Sequence, residues 1–246
     1  MNADCVLSGE PSGVDAISFS SKGYMVLTVD VATRGAIAGY SNESKNAVEV
    51  AADVMRDLKQ LENIKSDIPR PLQKMLDNPE WVREHERLRG AGHAEQLSKI
   101  TVDICTVKGG SLSVVIPFDC RFTVSIVFPI GTDIGLLHEK IKEISDRYPE
   151  VEIRVDGVDL PDYSNPDGEL PALIQDVCKS LGYKRPVLTP DIAISDCRYW
   201  RYRNIPAYWY GVGGENCSAA NESIRVDELI RMVKVHTLTA FRYLQG

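Results

Sequence analysis

Two short runs of the chain combine side chains that could bind a small polar ligand. Gly9-Glu10-Pro11-Ser12 carries one carboxylate in a turn-forming setting, and Ser195-Asp196-Cys197-Arg198-Tyr199 places a carboxylate, a guanidinium and a phenol close together. Arginine can bind a carboxylate through two parallel hydrogen bonds, so Arg198 is a candidate for carboxylate binding and orientation. A purely structural pair between Asp196 and Arg198 is the alternative.

A third polar run precedes the last helical segment of the sequence. Asn221 and Glu222 either contact a ligand or lead into that helix. Aromatic residues are dense between the second and third runs, and they either pack in the core or form a pocket wall around Arg198, Arg201 or Arg203. They are Tyr199, Trp200, Tyr202, Tyr208, Trp209 and Tyr210.

The histidines and cysteines show no metal-ligand spacing. The six cysteines form no Cys-x-x-Cys motif, which favours reduced thiols in a cytoplasmic protein. We expect His85 and His93 to be solvated within a charged segment. We expect His236 to be packed on the last helix, near an apolar stripe of Ile230, Val233, Ala240 and Leu244.

Hydrophobic periodicity indicates an inserted domain. Residues 22–157 are predicted to form β, α, β, β, α, β, with strands near 23–32, 99–107, 112–128 and 150–156 and helices near 46–62 and 134–147. This is the ferredoxin-like order. The segment 65–98 is predicted to be an excursion from this domain with one or two short helices.

The flanking segments are predicted to form a second, smaller α/β layer. Residues 1–21 contribute a strand near 3–8, and residues 158–246 contribute helices near 169–181 and 227–244 and strands near 189–194 and 207–211. The predicted fold is therefore α/β, with 22–157 inserted between 1–21 and 158–246.

Composition limits the function classes. The chain has 246 residues, 43% hydrophobic and 26% charged, which is ordinary globular composition. A net charge of −7 argues against nucleic-acid binding. No apolar run is long enough to cross a membrane and no signal peptide is evident, so we expect neither a membrane partner nor secretion.

The three polar runs, taken in order with Gly109-Gly110 and Val115-Ile116-Pro117, resemble the co-catalytic zinc amidohydrolases. This is the family of acetylornithine deacetylase, succinyl-diaminopimelate desuccinylase and aminoacylase-type metallopeptidases. The resemblance implies a zinc-peptidase α/β layer, here reduced, with 22–157 as a lid and dimerisation domain. It also implies a homodimer through the lid, substrates of the N-acyl amino acid type, and two zinc ions that activate a water.

Compared residue by residue, this sequence retains few of the residues that form the family's site. Glu10 matches a zinc-binding carboxylate, whereas the family's His-x-Asp motif, bridging aspartate and Glu-Glu base are not found. The lid histidine would fall near 36–39, which holds no histidine. Val114 stands at the lid asparagine, Ser218 at the last zinc histidine, and Val124-Ser125-Ile126-Val127 at the lid Val-Asp-x-Arg motif.

These differences favour a degenerate family member that is not a zinc amidase. We expect it to bind an amino-acid-like or N-acyl amino acid ligand through Asp196, Arg198, Tyr199 and Asn221, with no cofactor. Metal-free chemistry such as cyclisation or condensation is then open. One alternative is the C-terminal part of a zinc-dependent amidohydrolase, completed by a complementary N-terminal half. The other is a non-catalytic dimerisation module.

A reduced layer would also expose apolar surface. That surface must be covered by a partner or by rearrangement of the chain.

Overall fold

The computed structural model describes residues 3–110, 112–217 and 219–245. None of the helices within these ranges is long and apolar enough to span a membrane. In chain order the strands are β1 (Val6–Ser8), β2 (Ala16–Ser21), β3 (Gly23–Ala32), β4 (Ala36–Ile37), β5 (Thr101–Gly109), β6 (Val115–Ile116), β7 (Asp119–Phe128), β8 (Val151–Asp159), β9 (Asp162–Tyr163), β10 (Val187–Pro190), β11 (Ala207–Trp209), β12 (Gly214–Glu215) and β13 (Ser223–Ile224). The helices are α1 (Ala47–Lys59), α2 (Arg70–Leu76), α3 (Pro79–Arg89), α4 (His93–Gln96), α5 (Ile134–Arg147), α6 (Glu169–Ser180), α7 (Arg198–Arg201) and α8 (Val226–Tyr243), and a 3-10 turn covers Gln60–Asn63.

The chain forms two compact units, and the predicted mixed α/β class is confirmed. Unit 1 contains the described residues of Met1–Lys22, Arg70–Leu97 and Asp162–Gly246; unit 2 contains Gly23–Pro69 and Ser98–Pro161. The segment Arg70–Leu97 thus belongs to unit 1, whereas its sequence was assigned to the inserted domain. It holds the three helices α2, α3 and α4, one more than the prediction allowed.

Unit 1 is built on a sheet of order β1-β11-β2-β10, with β9 also paired to β2. The β1–β11 and β2–β10 pairs are parallel, and β11–β2 is antiparallel. All six residues of β2 are buried. A strand that is covered on both faces shows no alternation of apolar and polar residues, which explains why this strand was not predicted.

Helix α3 covers β10, the last strand of this sheet. Trp81 Nε1 donates to the Leu188 carbonyl at 3.0 Å, so an edge-strand acceptor is satisfied by a side chain. Arg89 forms a largely buried ion pair with Asp191 at 2.8 Å and donates to Ser18 Oγ at 2.7 Å. These three polar contacts explain why Arg70–Leu97 belongs to unit 1.

Unit 2 has the predicted β-α-β-β-α-β order. Its main elements follow one another as β3, α1, β5, β7, α5 and β8, and the antiparallel sheet has the order β5-β7-β3-β8. Helices α1 and α5 bury one sheet face. Asn46 Oδ1 accepts from Val48 N at 3.0 Å, and Asp133 Oδ1 accepts from Leu136 N at 3.0 Å. These side chains cap α1 and α5 and so fix where the helices begin.

Two expectations about histidines and helix faces differ from the structure. The predicted stripe of Ile230, Val233, Ala240 and Leu244 is exposed, whereas the side of α8 that packs inward includes Val235 and Thr239. His85 is fully buried rather than solvated.

His85 lies in a closed environment in unit 1. Its ring stacks on Trp81 with 4.6 Å between ring centroids, and its Nε2 lies 2.8 Å from His93 Nδ1. Burial, together with the nearby positive charges of His93 and Arg89, lowers the pKa of His85 to about 3. The burial of the His85 side chain could not be predicted because the surrounding residues 83–90 are mostly charged.

We predict that unit 1 loses stability on mild acidification. The pKa of His85 rises from about 3 in the folded state to its ordinary value of 6.5 on unfolding, so the unfolded chain takes up the proton first. Stability should fall by about 1–2 kcal/mol between about pH 7 and pH 5 for such a group. All three tryptophans lie in unit 1, so urea unfolding followed by tryptophan fluorescence reports this unit.

His85→Gln should reduce this pH dependence, whatever its cost at neutral pH. His138→Gln, at an exposed position of unit 2, is the matched control and should leave it unchanged. An equal pH dependence in His85→Gln and wild type would show that the buried imidazole is not the titrating group.

Candidate functional site

The candidate site lies in unit 1, where the residues after β1 meet the residues before α7. Glu10 Oε1 accepts from the Asp196 backbone N–H at 3.0 Å and lies 3.4 Å from Ser8 Oγ. The two runs singled out in the sequence, almost two hundred residues apart, are therefore joined by a side-chain to backbone hydrogen bond.

A close backbone approach positions Glu10. Gly211 follows β11, and a Cβ atom at this position would lie 2.2 Å from the Glu10 carbonyl oxygen and 2.5 Å from that of Gly9. Only glycine fits here without displacing the loop.

Arg198 is the central cation of the site. Its side chain is only 13% exposed, and Nη1 donates to the Ser195 carbonyl at 3.1 Å and to Asp196 Oδ1 at 3.3 Å. Nη2 donates to Tyr199 Oη at 2.8 Å, and the guanidinium carbon lies 4.2 Å from the Tyr199 ring centroid. The Asp196 side chain is 84% exposed, so its pairing with Arg198 can open at little cost.

Cys197 lies between these residues but is not prepared as a nucleophile. It is buried in a small apolar cluster with Ala207 and Trp209. Burial raises the pKa of its thiol, which keeps the sulfur protonated at neutral pH.

A buried ion pair that the sequence did not reveal holds α7 on the sheet. Arg201 pairs with Asp162, both side chains being almost fully buried, and Arg201 Nε donates to the Ala207 carbonyl at 2.9 Å. Its guanidinium also lies 5.1 Å from the Trp209 ring centroid. The arginines near 198–203 signalled a charged cluster, but nothing in the sequence linked Arg201 to Asp162, 39 positions away.

The remaining predicted positions lie elsewhere. Asn221 lies in the β12–β13 turn with a positive φ of 61°, and its carbonyl accepts from Asn216 Nδ2 at 3.5 Å. The structure thus joins Glu10, Asp196, Arg198 and Tyr199 by contacts, and these contacts do not include Asn221. Ser218 lies outside the described residues. Val114 is exposed in unit 2, next to β6.

A family model for the peptidase dimerisation domain, M20_dimer, matches residues 19–152. The chain belongs to the M20 peptidase dimerisation domain family. The match covers unit 2 from β3 to α5 and the first two residues of β8, and it also includes Arg70–Leu97.

Solved structures of M20-type enzymes share the fold over nearly the whole chain. A di-peptidase from Saccharomyces cerevisiae matches with a TM-score of 0.78 and 12% identity, over 99% of this chain and 60% of that one. An M20 family metallo-carboxypeptidase from Sulfolobus solfataricus matches with a TM-score of 0.74 and 15% identity, over 95% and 62%. A tripeptidase from Staphylococcus aureus matches with a TM-score of 0.69 and 15% identity, over 97% and 56%.

This M20 chain therefore spans less than two thirds of the length of these structures. No curated protein sequence matches it. At these identities the structures show the fold alone.

The donors of this M20 chain do not fit a zinc pair. Within the described ranges, no group of three or more histidine, cysteine, aspartate or glutamate side chains is arranged to hold a metal ion. Glu10, the one carboxylate matched to a family ligand, is engaged by the Asp196 N–H. Tight zinc binding needs three or four such donors converging on one point.

We predict that Gly211→Ala destabilises unit 1, because the new methyl group must push the Glu10 loop away. Overpacking of this kind costs about 1–3 kcal/mol. Gly9→Ala is the matched control, since its Cβ would meet only His236 and Met232 atoms at 3.8 Å. Urea unfolding followed by tryptophan fluorescence checks both, and equal stability of the two variants would contradict the assigned role of Gly211.

Proposed function

We propose that this chain is a homodimeric M20-type module that joins two copies through the outer edge of β5 in unit 2. The observation that carries the proposal is the exposed half of this edge strand, Cys105–Gly109, all of whose residues are exposed. An edge strand of this kind is a template for pairing with a second strand.

The other half of the same edge is already occupied from within the chain. Lys59 Nζ donates to the Val102 carbonyl at 2.8 Å, and Glu62 Oε1 accepts from Val102 N at 2.9 Å. Side chains therefore block pairing at the start of β5. Self-pairing is directed to the remaining half, where an antiparallel arrangement about a two-fold axis would extend the sheet.

Apolar side chains flank the open half. Val107 is 54% exposed on β5, and Val48 is 38% exposed in the first turn of α1. Val48 lies beside the strand end, because a Cβ on Gly109 would be 3.1 Å from its Cγ2. Burial of these side chains would add apolar contact to the backbone pairing.

The sheet face away from the helices is not suited to an apolar contact. Arg154 pairs with Asp156 at 2.8 Å and Arg121 pairs with Asp30 on it, and Thr28 donates to Asp156 at 2.5 Å. These polar groups would lose water in a face-to-face dimer without gaining new partners. The edge therefore fits a two-fold contact better than the open face does.

Val107→Lys should weaken the dimer at least tenfold, because two like charges would meet near the two-fold axis. Val158→Lys is the matched control, as Val158 is an exposed valine on β8, the strand at the other edge of the sheet. Sedimentation velocity at several concentrations checks both variants. Dissociation by Val158→Lys with no effect of Val107→Lys would place the dimer at β8 instead.

We propose as a second function that unit 1 binds an amino-acid-like or N-acyl amino acid ligand at Arg198. The observation that favours it is the pairing of one nearly buried cation, Arg198, with the exposed carboxylate of Asp196, whose backbone N–H is in turn held by Glu10. A ligand carboxylate can replace Asp196 on Arg198, and Asp196 can then turn to the ligand's ammonium or amide N–H.

The six free cysteines favour a reducing, cytoplasmic compartment for this module.

Calorimetric titration with free and N-acetylated L-amino acids tests this function. We expect binding that treatment with a chelator leaves unchanged, and a loss of at least tenfold in affinity in Arg198→Gln. Arg203→Gln, at an exposed arginine two residues beyond α7, should bind as wild type does.

Two results would contradict this second function. One is the absence of heat with every compound at millimolar concentration. The other is binding or hydrolysis that needs added zinc, which would favour the alternative of a zinc-dependent amidohydrolase completed by another half.

A further inference from the structure

A cleft of about 530 Å³ lies in unit 1 between α2, α3 and the loop that precedes α6. Cavities that bind small molecules have volumes of about 300–1,000 Å³, so this cleft has the size of a ligand site. Its described lining residues include neither Arg198 nor any residue of β5. The cleft is therefore separate from both sites discussed above, and the chemistry of its walls decides which ligand it fits.

Two cations without a protein partner lie on one wall of the cleft. Arg70 and Lys74 are four positions apart on α2, so their side chains lie on one face of this helix. Both residues are exposed, and neither forms an ion pair or a side-chain hydrogen bond within the described part of the chain. A phosphate monoester carries about −1.5 to −2 charges at pH 7 and three acceptor oxygens, so it matches two cations better than a carboxylate does.

Trp81 forms an apolar wall of the cleft and is held in one orientation. Its Nε1 donates to the Leu188 carbonyl at 3.0 Å, and its ring stacks on His85 with 4.6 Å between ring centroids. Met75 and Pro166 line the cleft together with it. Because these contacts fix the indole before any ligand arrives, a flat ring can pack against it with little further loss of side-chain entropy.

The loop before α6 brings a carboxylate to the same cleft. Asp167 is exposed, and within the described residues it forms no ion pair with Arg70 or Lys74. Its backbone N–H donates to Asn165 Oδ1 at 3.1 Å, and the Asn165 carbonyl accepts from Tyr208 Oη at 2.7 Å, so the loop is anchored on β11. Opposite charges that line one cleft without pairing leave room for a ligand, and the carboxylate can accept from a ligand N–H.

Asn78 supplies a further donor in this cleft. Its Oδ1 accepts from Glu80 N at 3.0 Å and from Trp81 N at 3.3 Å, which fixes the amide at the start of α3. Its Nδ2 has no partner among the described residues and can donate to a ligand oxygen. The N-terminal end of the α3 dipole adds positive potential here, offset in part by Glu80 in the first turn.

We propose that this cleft binds a phosphate monoester joined to a flat ring that carries an N–H donor, the chemistry of an aminopurine nucleoside monophosphate. The phosphate contacts Arg70 and Lys74, the ring packs against Trp81, and the N–H donates to Asp167. The net charge of −7 opposes anion binding on the rest of the surface, so the local pair of free cations determines where the phosphate binds.

Isothermal titration calorimetry of the full chain with adenosine monophosphate, phenyl phosphate, phenylacetate and inorganic phosphate tests the proposal. We expect adenosine monophosphate to bind most tightly, and phenyl phosphate to bind at least threefold more weakly because it lacks the N–H donor. Phenylacetate and inorganic phosphate should bind at least tenfold more weakly than adenosine monophosphate, since one lacks the second charge and the other lacks the ring. Equal affinities of phenylacetate and phenyl phosphate overturn the assignment of a phosphate, and no measurable binding of any of these compounds at millimolar concentration overturns the site.

Substitutions test each contact separately. Arg70→Gln and Lys74→Gln should each weaken the binding of adenosine monophosphate and of phenyl phosphate at least fivefold. Asp167→Ala should weaken the binding of adenosine monophosphate at least threefold and should not weaken that of phenyl phosphate, which has no N–H donor to lose. Arg83→Gln, at an exposed arginine of α3 outside the lining of the cleft, is the matched control and should bind as wild type does.

Wild-type affinity for adenosine monophosphate in both Arg70→Gln and Lys74→Gln overturns the proposal, because the phosphate would then bind elsewhere. An equal loss of both ligands in Asp167→Ala overturns the contact assigned to that carboxylate. All substituted residues are exposed, and circular dichroism and urea unfolding establish that each variant is folded before it is titrated. Sedimentation velocity of Lys74→Gln should be unchanged from wild type, so this proposal and the β5 dimer fail independently.

Discussion

Closure of the β10 edge in unit 1 is the constraint on which the arrangement of the chain depends. A strand at the end of a sheet leaves backbone acceptors and one flank uncovered. Here α3 supplies the cover, with Trp81 Nε1 on the Leu188 carbonyl and Arg89 on Asp191 and Ser18. A segment that leaves unit 2 after α1 is thereby recruited to unit 1.

The same constraint explains which parts of the fold could be predicted. Unit 2 has one sheet face buried by α1 and α5, so its strands alternate and its helices are amphipathic, and the β-α-β-β-α-β order is readable. Strand β2 is buried on both faces and carries three serines, so neither alternation nor composition indicates it. The excursion at 65–98 has the charges of a solvated segment, yet it buries His85 against Trp81. Tertiary contacts with β10 decide its position, and these are not encoded in local periodicity.

Helix α8 shows a different limit of sequence patterns. Its most regular apolar stripe, with Ile230, Val233 and Leu244, predicts an inner side, but the structure places this stripe outward. Periodicity reports that a face is apolar and does not report what covers it. In the candidate site, Glu10, Asp196 and Arg198 could be selected from the sequence because they lie in short polar runs. Arg201 and Asp162 were not found, because their pairing depends on how β9 and α7 meet.

The geometry around Arg198 limits the kind of ligand and the strength with which it can bind. The guanidinium is already satisfied by Ser195, Asp196 and Tyr199, so a ligand carboxylate exchanges one partner for another rather than filling an empty site. A simple carboxylate gains little from such an exchange, since Asp196 must then be left with water alone. A ligand that also carries an ammonium or amide N–H gives Asp196 a new partner, and the exchange becomes favourable. In the proposed function, the paired charges would therefore discriminate by themselves between amino-acid-like compounds and simple acids.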